Sequence, residues 1–166
     1  MSKIKKMVAF LLTCVCIMVC VVPTVETNAA STYGFKSKGV TAIPGKSASA
    51  FIKANKKYYV SIKNSKSCVA SSGYDVTRVY EYFTLVTYST KKNGEGKVES
   101  ITITNEDVTT VEGAHCGMSV DELKDIYKKA KKLGSTYYVT KGKTKISFLI
   151  EDDEVTEINY LYTGKF

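Results

Sequence analysis

The chain has 166 residues, with 24 basic against 16 acidic side chains, twelve tyrosines, one histidine and no tryptophan, giving a formal net charge of +8. That length holds one domain and little more. A lone histidine among scattered carboxylates gives no metal-ligand spacing, and no G-x-S-x-G element or phosphate cradle is present, so no cofactor, metal or nucleic acid is expected.

Lys3, Lys5 and Lys6 precede an almost unbroken apolar run from Met7 to Val22, which Pro23 ends before the small residues Asn28-Ala29-Ala30. A positive start, an apolar centre and a small-residue exit read as a Sec-type signal peptide over residues 1–30, cleaved after Ala30 or Ala29. The run is shorter than the ~20 residues of a spanning helix, and no second one follows. Cys14, Cys16 and Cys20 lie inside it without the setting of a lipidation site. The expectation is a secreted or cell-surface protein, with no transmembrane span in the mature chain and residues 31–166 forming one domain. Without Lys3, Lys5, Lys6 and Glu26 the remainder holds 21 basic and 15 acidic residues, a net charge of +6. A basic exported domain favours anionic surroundings: wall polymers, lipid headgroups or acidic proteins.

Downstream, Ala42-Ile43-Pro44-Gly45-Lys46-Ser47 aligns with Ala114-His115-Cys116-Gly117-Met118-Ser119 through Ala, Gly and Ser. Phe51 then matches Leu123, Tyr-Tyr-Val recurs at 58–60 and 137–139, and Val98, Ile101 and Ile103 echo Val155, Ile158 and Tyr160. These matches predict two degenerate repeats, about 31–110 and 111–166. Each repeat reads as a helix followed by strands. A short helix is expected over about 47–55. A longer one is expected after Ser119, where Val120, Leu123, Ile126, Tyr127 and Ala130 form a stripe, Ser119 and Glu122 a capping box, and Gly134 the stop. Strands are expected at 58–63, 76–89, 98–104, 137–140, 145–151 and 155–162, with turns at Asn93-Gly94-Glu95-Gly96 and Asp152-Asp153. The expected fold class is α+β, with helices on one face of an antiparallel sheet and the other face open.

Glu112-Gly113-Ala114-His115-Cys116-Gly117-Met118-Ser119 invites a catalytic reading through its adjacent His and Cys. Neighbouring residues of an extended segment point to opposite sides, so His115 does not activate Cys116. The segment reads as the joint leading into a helix. Cys68 with His115 would be the thiol-hydrolase alternative, without a third orienting residue or a recognised signature. In an exported chain Cys68 and Cys116 allow a disulfide, and two separate thiols are equally allowed. The acidic run 151–154 lacks the ligand alternation of a calcium loop and reads as a solvated turn.

With 76–89 taken as one strand, alternation puts Val79, Phe83 and Leu85 on one face and Arg78, Tyr80, Tyr82 and Tyr88 on the other. Tyr59 and Tyr138 fall outward by the same parity. These six residues form the candidate partner-binding set on the open face, because Tyr and Arg bring large contact area with a polar tip. Burial of Tyr80 and Tyr82 under a helix would refute it.

Gly117-Met118-Ser119-Val120-Asp121-Glu122-Leu123 resembles the helix-entry signature of the SmpA/OmlA-type lipoprotein fold, whose helix-and-strand grammar is used twice in the β-lactamase inhibitory protein. Ser67-Cys68, Gly73-x-Asp75, Tyr80-x-Tyr82-Phe83-x-Leu85-x-Thr87-Tyr88 and Glu112-Gly113 are similar to uncharacterised secreted proteins of clostridial bacteria. The resemblance implies a fold that binds proteins and does no chemistry. The expected function is a non-enzymatic, exported protein-binding module, an inhibitor or assembly partner. The alternative is a basic wall-associated protein held by charge.

Overall fold

The computed structural model describes residues 32–166, and the signal segment expected over 1–30 lies outside them. A small hairpin comes first, β1 (Phe35–Ser37) and β2 (Val40–Ala42), followed by the helix α1 (Ser49–Ala54) and a 3-10 turn at Lys56–Tyr58. Strands β3 (Tyr59–Lys66), β4 (Tyr74–Tyr80), β5 (Thr84–Ser89) and β6 (Lys97–Ile103) lead to the helix α2 (Val120–Ile126). Strands β7 (Lys131–Leu133), β8 (Thr136–Lys141), β9 (Thr144–Glu151) and β10 (Glu154–Tyr162) complete the chain. Strands β3 to β10 make one antiparallel sheet in the order β3-β4-β5-β6-β10-β9-β8-β7.

Alternation along the strands explains the core. Val76, Leu85, Val98, Ile101, Ile103, Ile146, Phe148, Ile158 and Tyr160 share one face and are fully buried. The small hairpin and both helices supply Phe35, Phe51 and Leu123 to that core. Three phenylalanines from different elements meet there, with ring centroids 6.0 Å apart for Phe35–Phe51, 5.0 Å for Phe35–Phe83 and 5.5 Å for Phe51–Phe83. The other face carries Thr77, Val79, Thr84, Val86, Ser100, Thr102, Ser147 and Asn159, all half-exposed.

The domain is mostly β, which overturns the expected α+β fold of two helix-plus-strand repeats. The capping box at Ser119 does form: the Ser119 N–H donates to Glu122 Oε2 at 2.9 Å and the Glu122 N–H to Ser119 Oγ at 3.3 Å. Such a cap stabilises a helix by about 1 kcal/mol. Yet the helix ends at Ile126 after seven residues. Continuing it would stack Lys128, Lys129, Lys131 and Lys132 at three- and four-residue spacings, a like-charge arrangement that destabilises a helix. Lys131–Leu133 instead pairs with β8, and Gly134, with φ of 58°, opens the two-residue turn between them. The helix α1 is six residues long and has no side-chain cap. Asp152 and Asp153, with φ of 50° and 66°, form the tight β9–β10 turn.

Candidate functional site

Residues 76–89 are two strands, not one. Glu81, Tyr82 and Phe83 turn the chain, and Val79 pairs with Thr84. The odd-numbered side chains of β5 therefore share a face with the even-numbered ones of β4. Leu85 is inside as expected, so Arg78, its register partner, is inside as well. Arg78 and Tyr80 are each 4 % exposed, which removes them from the open face. Tyr59 pairs with Tyr80 and faces the same side, although at the sheet edge it remains exposed. Tyr82 sits half-buried in a shallow cleft beside Phe35, Lys36 and Val108. Only Tyr88 and Tyr138 lie on the open face. Tyr88 packs on Phe166 with centroids 5.0 Å apart, and Tyr138 carries Lys145 Nζ 5.4 Å above its ring. They stand four strand spacings apart, roughly 19 Å. The six residues do not assemble into one open-face patch.

Cys68 and Cys116, the two cysteines among the described residues, are both free. Cys116 is buried, and its Sγ donates to the Ile103 carbonyl at 3.6 Å. Burial, with Glu106 and Glu157 nearby, pushes its thiol pKa up. Cys68 is exposed in the β3–β4 connection, where its N–H donates to Asp75 Oδ2 at 2.9 Å and its thiol to the same oxygen at 3.4 Å. That hydrogen bond and the carboxylate's charge raise the Cys68 pKa. His115 Nδ1 donates to the Cys116 carbonyl at 2.8 Å, so its ring is engaged with backbone and not with a thiol. The segment 115–118 leads through Gly117, with φ of 83°, to the cap of α2. Among the described residues no group of three His, Cys, Asp or Glu side chains could hold a metal ion, and no helix is long and apolar enough to cross a membrane.

What the fold does build is a groove of about 570 Å³ between α1 and the β3 end of the sheet. Ala50, Ile52, Lys53 and Lys56 form one wall, Tyr59 and Ile62 the other, with Arg78 and Tyr80 below and Asn93 and Glu95 at one end. Arg78 is fixed by donating to Thr87 Oγ1 at 2.9 Å, the Asn93 carbonyl at 3.3 Å and the Gly94 carbonyl at 2.7 Å. Burial lowers its pKa from the usual guanidinium value, against a smaller upward pull from Tyr80, Tyr59 and the Glu95 carboxylate. Tyr80 stacks on Phe83 with centroids 4.6 Å apart, and its buried hydroxyl has no partner. The sequence did hold a signal for this site: Arg78 is the single arginine among 24 basic residues. A planar five-donor fork is the cation suited to a fixed, desolvated position, whereas lysines serve on the surface.

A second buried polar pair lies on the far side of the sheet. Asp75 Oδ1 and Glu99 Oε2 are buried without hydrogen-bond partners. Burial, and then the negative charge of Asp75, raise the Glu99 pKa above 4.5. Glu99 therefore holds its proton more tightly folded than unfolded. Its contribution to stability is full below its unfolded pKa and is lost as pH rises through the higher folded value. Glu99→Gln is expected to be more stable than the parent at neutral pH and to lose this part of the slope. Urea midpoints of both chains across about pH 4–7 check it, and parallel curves would refute it.

Comparison with family models, characterised proteins and solved structures finds no match to this chain.

Proposed function

We propose that the chain is an exported, non-enzymatic binding module that receives an extended segment of a partner protein alongside β3 and over the adjoining groove. The observation that carries this reading is β3 itself. It is the outermost strand, eight residues long with seven exposed, whereas the opposite edge, β7, has three residues. The Ser67 N–H donates to the Gly73 carbonyl at 3.1 Å, so by antiparallel alternation Ile62, Asn64 and Lys66 direct their backbone N–H groups away from β4. A long unpaired edge is a template for strand addition, and folds that do not use one shorten or cover it. Lys63 and Lys66 disfavour pairing with a second copy of the same strand and favour an acidic or neutral one. The positively charged N-terminal segment and its apolar run support export.

Panning a phage-displayed peptide library on the purified chain tests the reading. An enriched consensus is expected, and the synthetic consensus peptide should lose about tenfold or more in affinity to Ile62→Pro, which removes an outward N–H without touching the bonds to β4. Tyr138→Ala, on the far side of the sheet, should bind unchanged. No consensus, or equal binding to Ile62→Pro, would overturn it.

One observation favours the charge-held alternative. At the other end of the sheet Lys132 and Lys124 lie over Tyr137 at 5.5 and 6.0 Å and Lys141 over Tyr33 at 5.8 Å, while Lys145 lies over Tyr138 at 5.4 Å on the open face, so basic, aromatic patches flank that end on both sides. An anionic wall polymer held there would be released by salt, since exposed charges are screened beyond about 8–10 Å near physiological ionic strength. Strand addition at β3 would persist.

A further inference from the structure

We infer that the groove accepts a carboxylate of the partner's segment at Arg78 and Tyr80, an assignment that rests on the reading of β3 as a peptide-binding edge. Three independent features converge on it. Arg78 is 4 % exposed, yet its bonds go only to a hydroxyl and two carbonyls. The sole ion pair among the described residues is Lys124–Asp121, on α2. Glu95 is near enough for its charge to act on Arg78 but forms no ion pair with it. A buried guanidinium without a contacting carboxylate is costly, and its fork has more N–H groups than these three bonds use. Tyr80, also 4 % exposed, places an unpartnered hydroxyl beside it in the floor of the groove. Lys53 and Lys56 stand at the rim against Glu95 as the single acid in the lining. The net field of the groove is positive between apolar wall residues Ala50, Ile52 and Ile62.

That combination selects a negative group attached to an apolar, extended body. A carboxylate accepts from an N–H that these bonds leave free, on Nε or Nη1, and the phenol hydroxyl donates to the same group. Peptide side chains that follow β3 fill the apolar part. The carboxylate is either an acidic side chain within the segment or the segment's own C-terminus.

A titration followed by NMR on the isotope-labelled chain distinguishes these sources. Three short strand-forming peptides of one parent sequence are compared: a central Glu with an amidated end, a central Gln with an amidated end, and a central Gln with a free C-terminus. Inorganic phosphate serves as the free anion. The Arg78 Nε–H signal and the β3 backbone amides are read together. One of the two carboxylate peptides is expected to move both sets of signals and to bind about tenfold or more tightly than the neutral peptide. The arm that does so identifies the source. Equal binding of all three, with β3 signals moving, would overturn the carboxylate assignment and leave strand addition standing. Phosphate matching the better peptide at equal concentration would overturn it in favour of a free anion. If no peptide moves the β3 amides, strand addition itself fails and this inference with it.

Two variants complete the test. Arg78→Lys keeps the charge and loses the fork. Tyr80→Phe keeps the ring on Phe83 and loses only the hydroxyl. Each is expected to lower the preference for the acidic peptide about threefold or more, with neutral-peptide affinity unchanged. Full preference retained in both would overturn the assignment.

Discussion

Replacing Phe35 by alanine lowers the unfolding free energy by about 3–5 kcal/mol, which in a domain of this size moves Tm down by roughly 10–15 °C. Phe35 comes from a strand of three residues in a hairpin that does not join the main sheet. A two-stranded hairpin is marginal alone; this one is held because it delivers Phe35 into the core, where 1 % of the side chain stays exposed. The ring meets Phe51 of α1, Phe83 of the β4–β5 turn and Tyr160 of β10, at 6.0, 5.0 and 6.2 Å. These neighbours belong to three separate elements, each fixed by its own backbone bonds, so the space left by the ring cannot collapse easily. Lys36→Ala, on the next and exposed residue, should change stability by no more than about 0.5 kcal/mol. Urea unfolding of the two variants measures the contrast. A loss at Phe35 below about 1 kcal/mol would mean that the hairpin is dispensable to the core.

The strands were legible because β-branched and aromatic residues recur at a period of two, and the capping box at Ser119 was legible because its chemistry is local. The helical content was not. Gly134 closes a helix or turns a hairpin equally well, and the lysines before it satisfy a helix C-terminus or an exposed edge strand. Pairing with β8, a tertiary event, decides between them. The candidate binding set failed at one place, the turn Glu81-Tyr82-Phe83. It contains no glycine, proline or asparagine, so nothing in its composition breaks the run from Val76 to Ser89. One unseen turn inverts the parity beyond it, and Arg78 and Tyr80 go from the open face to the floor of a groove. The groove itself could not be read in advance, since α1, β3, β4 and the β5–β6 connection meet only through the sheet order.

Gly96→Ala is expected to cost about 3 kcal/mol and to disturb the groove with it. Gly96 has φ of 62°, and a Cβ there would overlap the Tyr88 carbonyl, whose carbon would lie 2.8 Å away. A carbonyl already built into the strand has no rotamer to escape to. Gly134 offers the control. Its φ of 58° carries the same backbone penalty, but nothing lies within 4 Å of its added Cβ, so Gly134→Ala should cost about 1 kcal/mol. The difference between the two substitutions is the price of the clash. Its consequences reach the groove by two routes. The Gly96 carbonyl accepts the Ala48 N–H at 3.0 Å, at the entry to α1, and the Asn93 and Gly94 carbonyls just upstream hold the Arg78 guanidinium. Moving this connection shifts one wall and the cation beneath it. In Gly96→Ala the Arg78 Nε–H signal should move and peptide binding at β3 should fall at temperatures where the chain is still folded, while Gly134→Ala leaves both intact. Urea unfolding gives the energies and NMR gives the local response. Equal costs at the two glycines would show that the β5–β6 connection rearranges freely, and a turn that free could not hold Arg78 ready for a ligand.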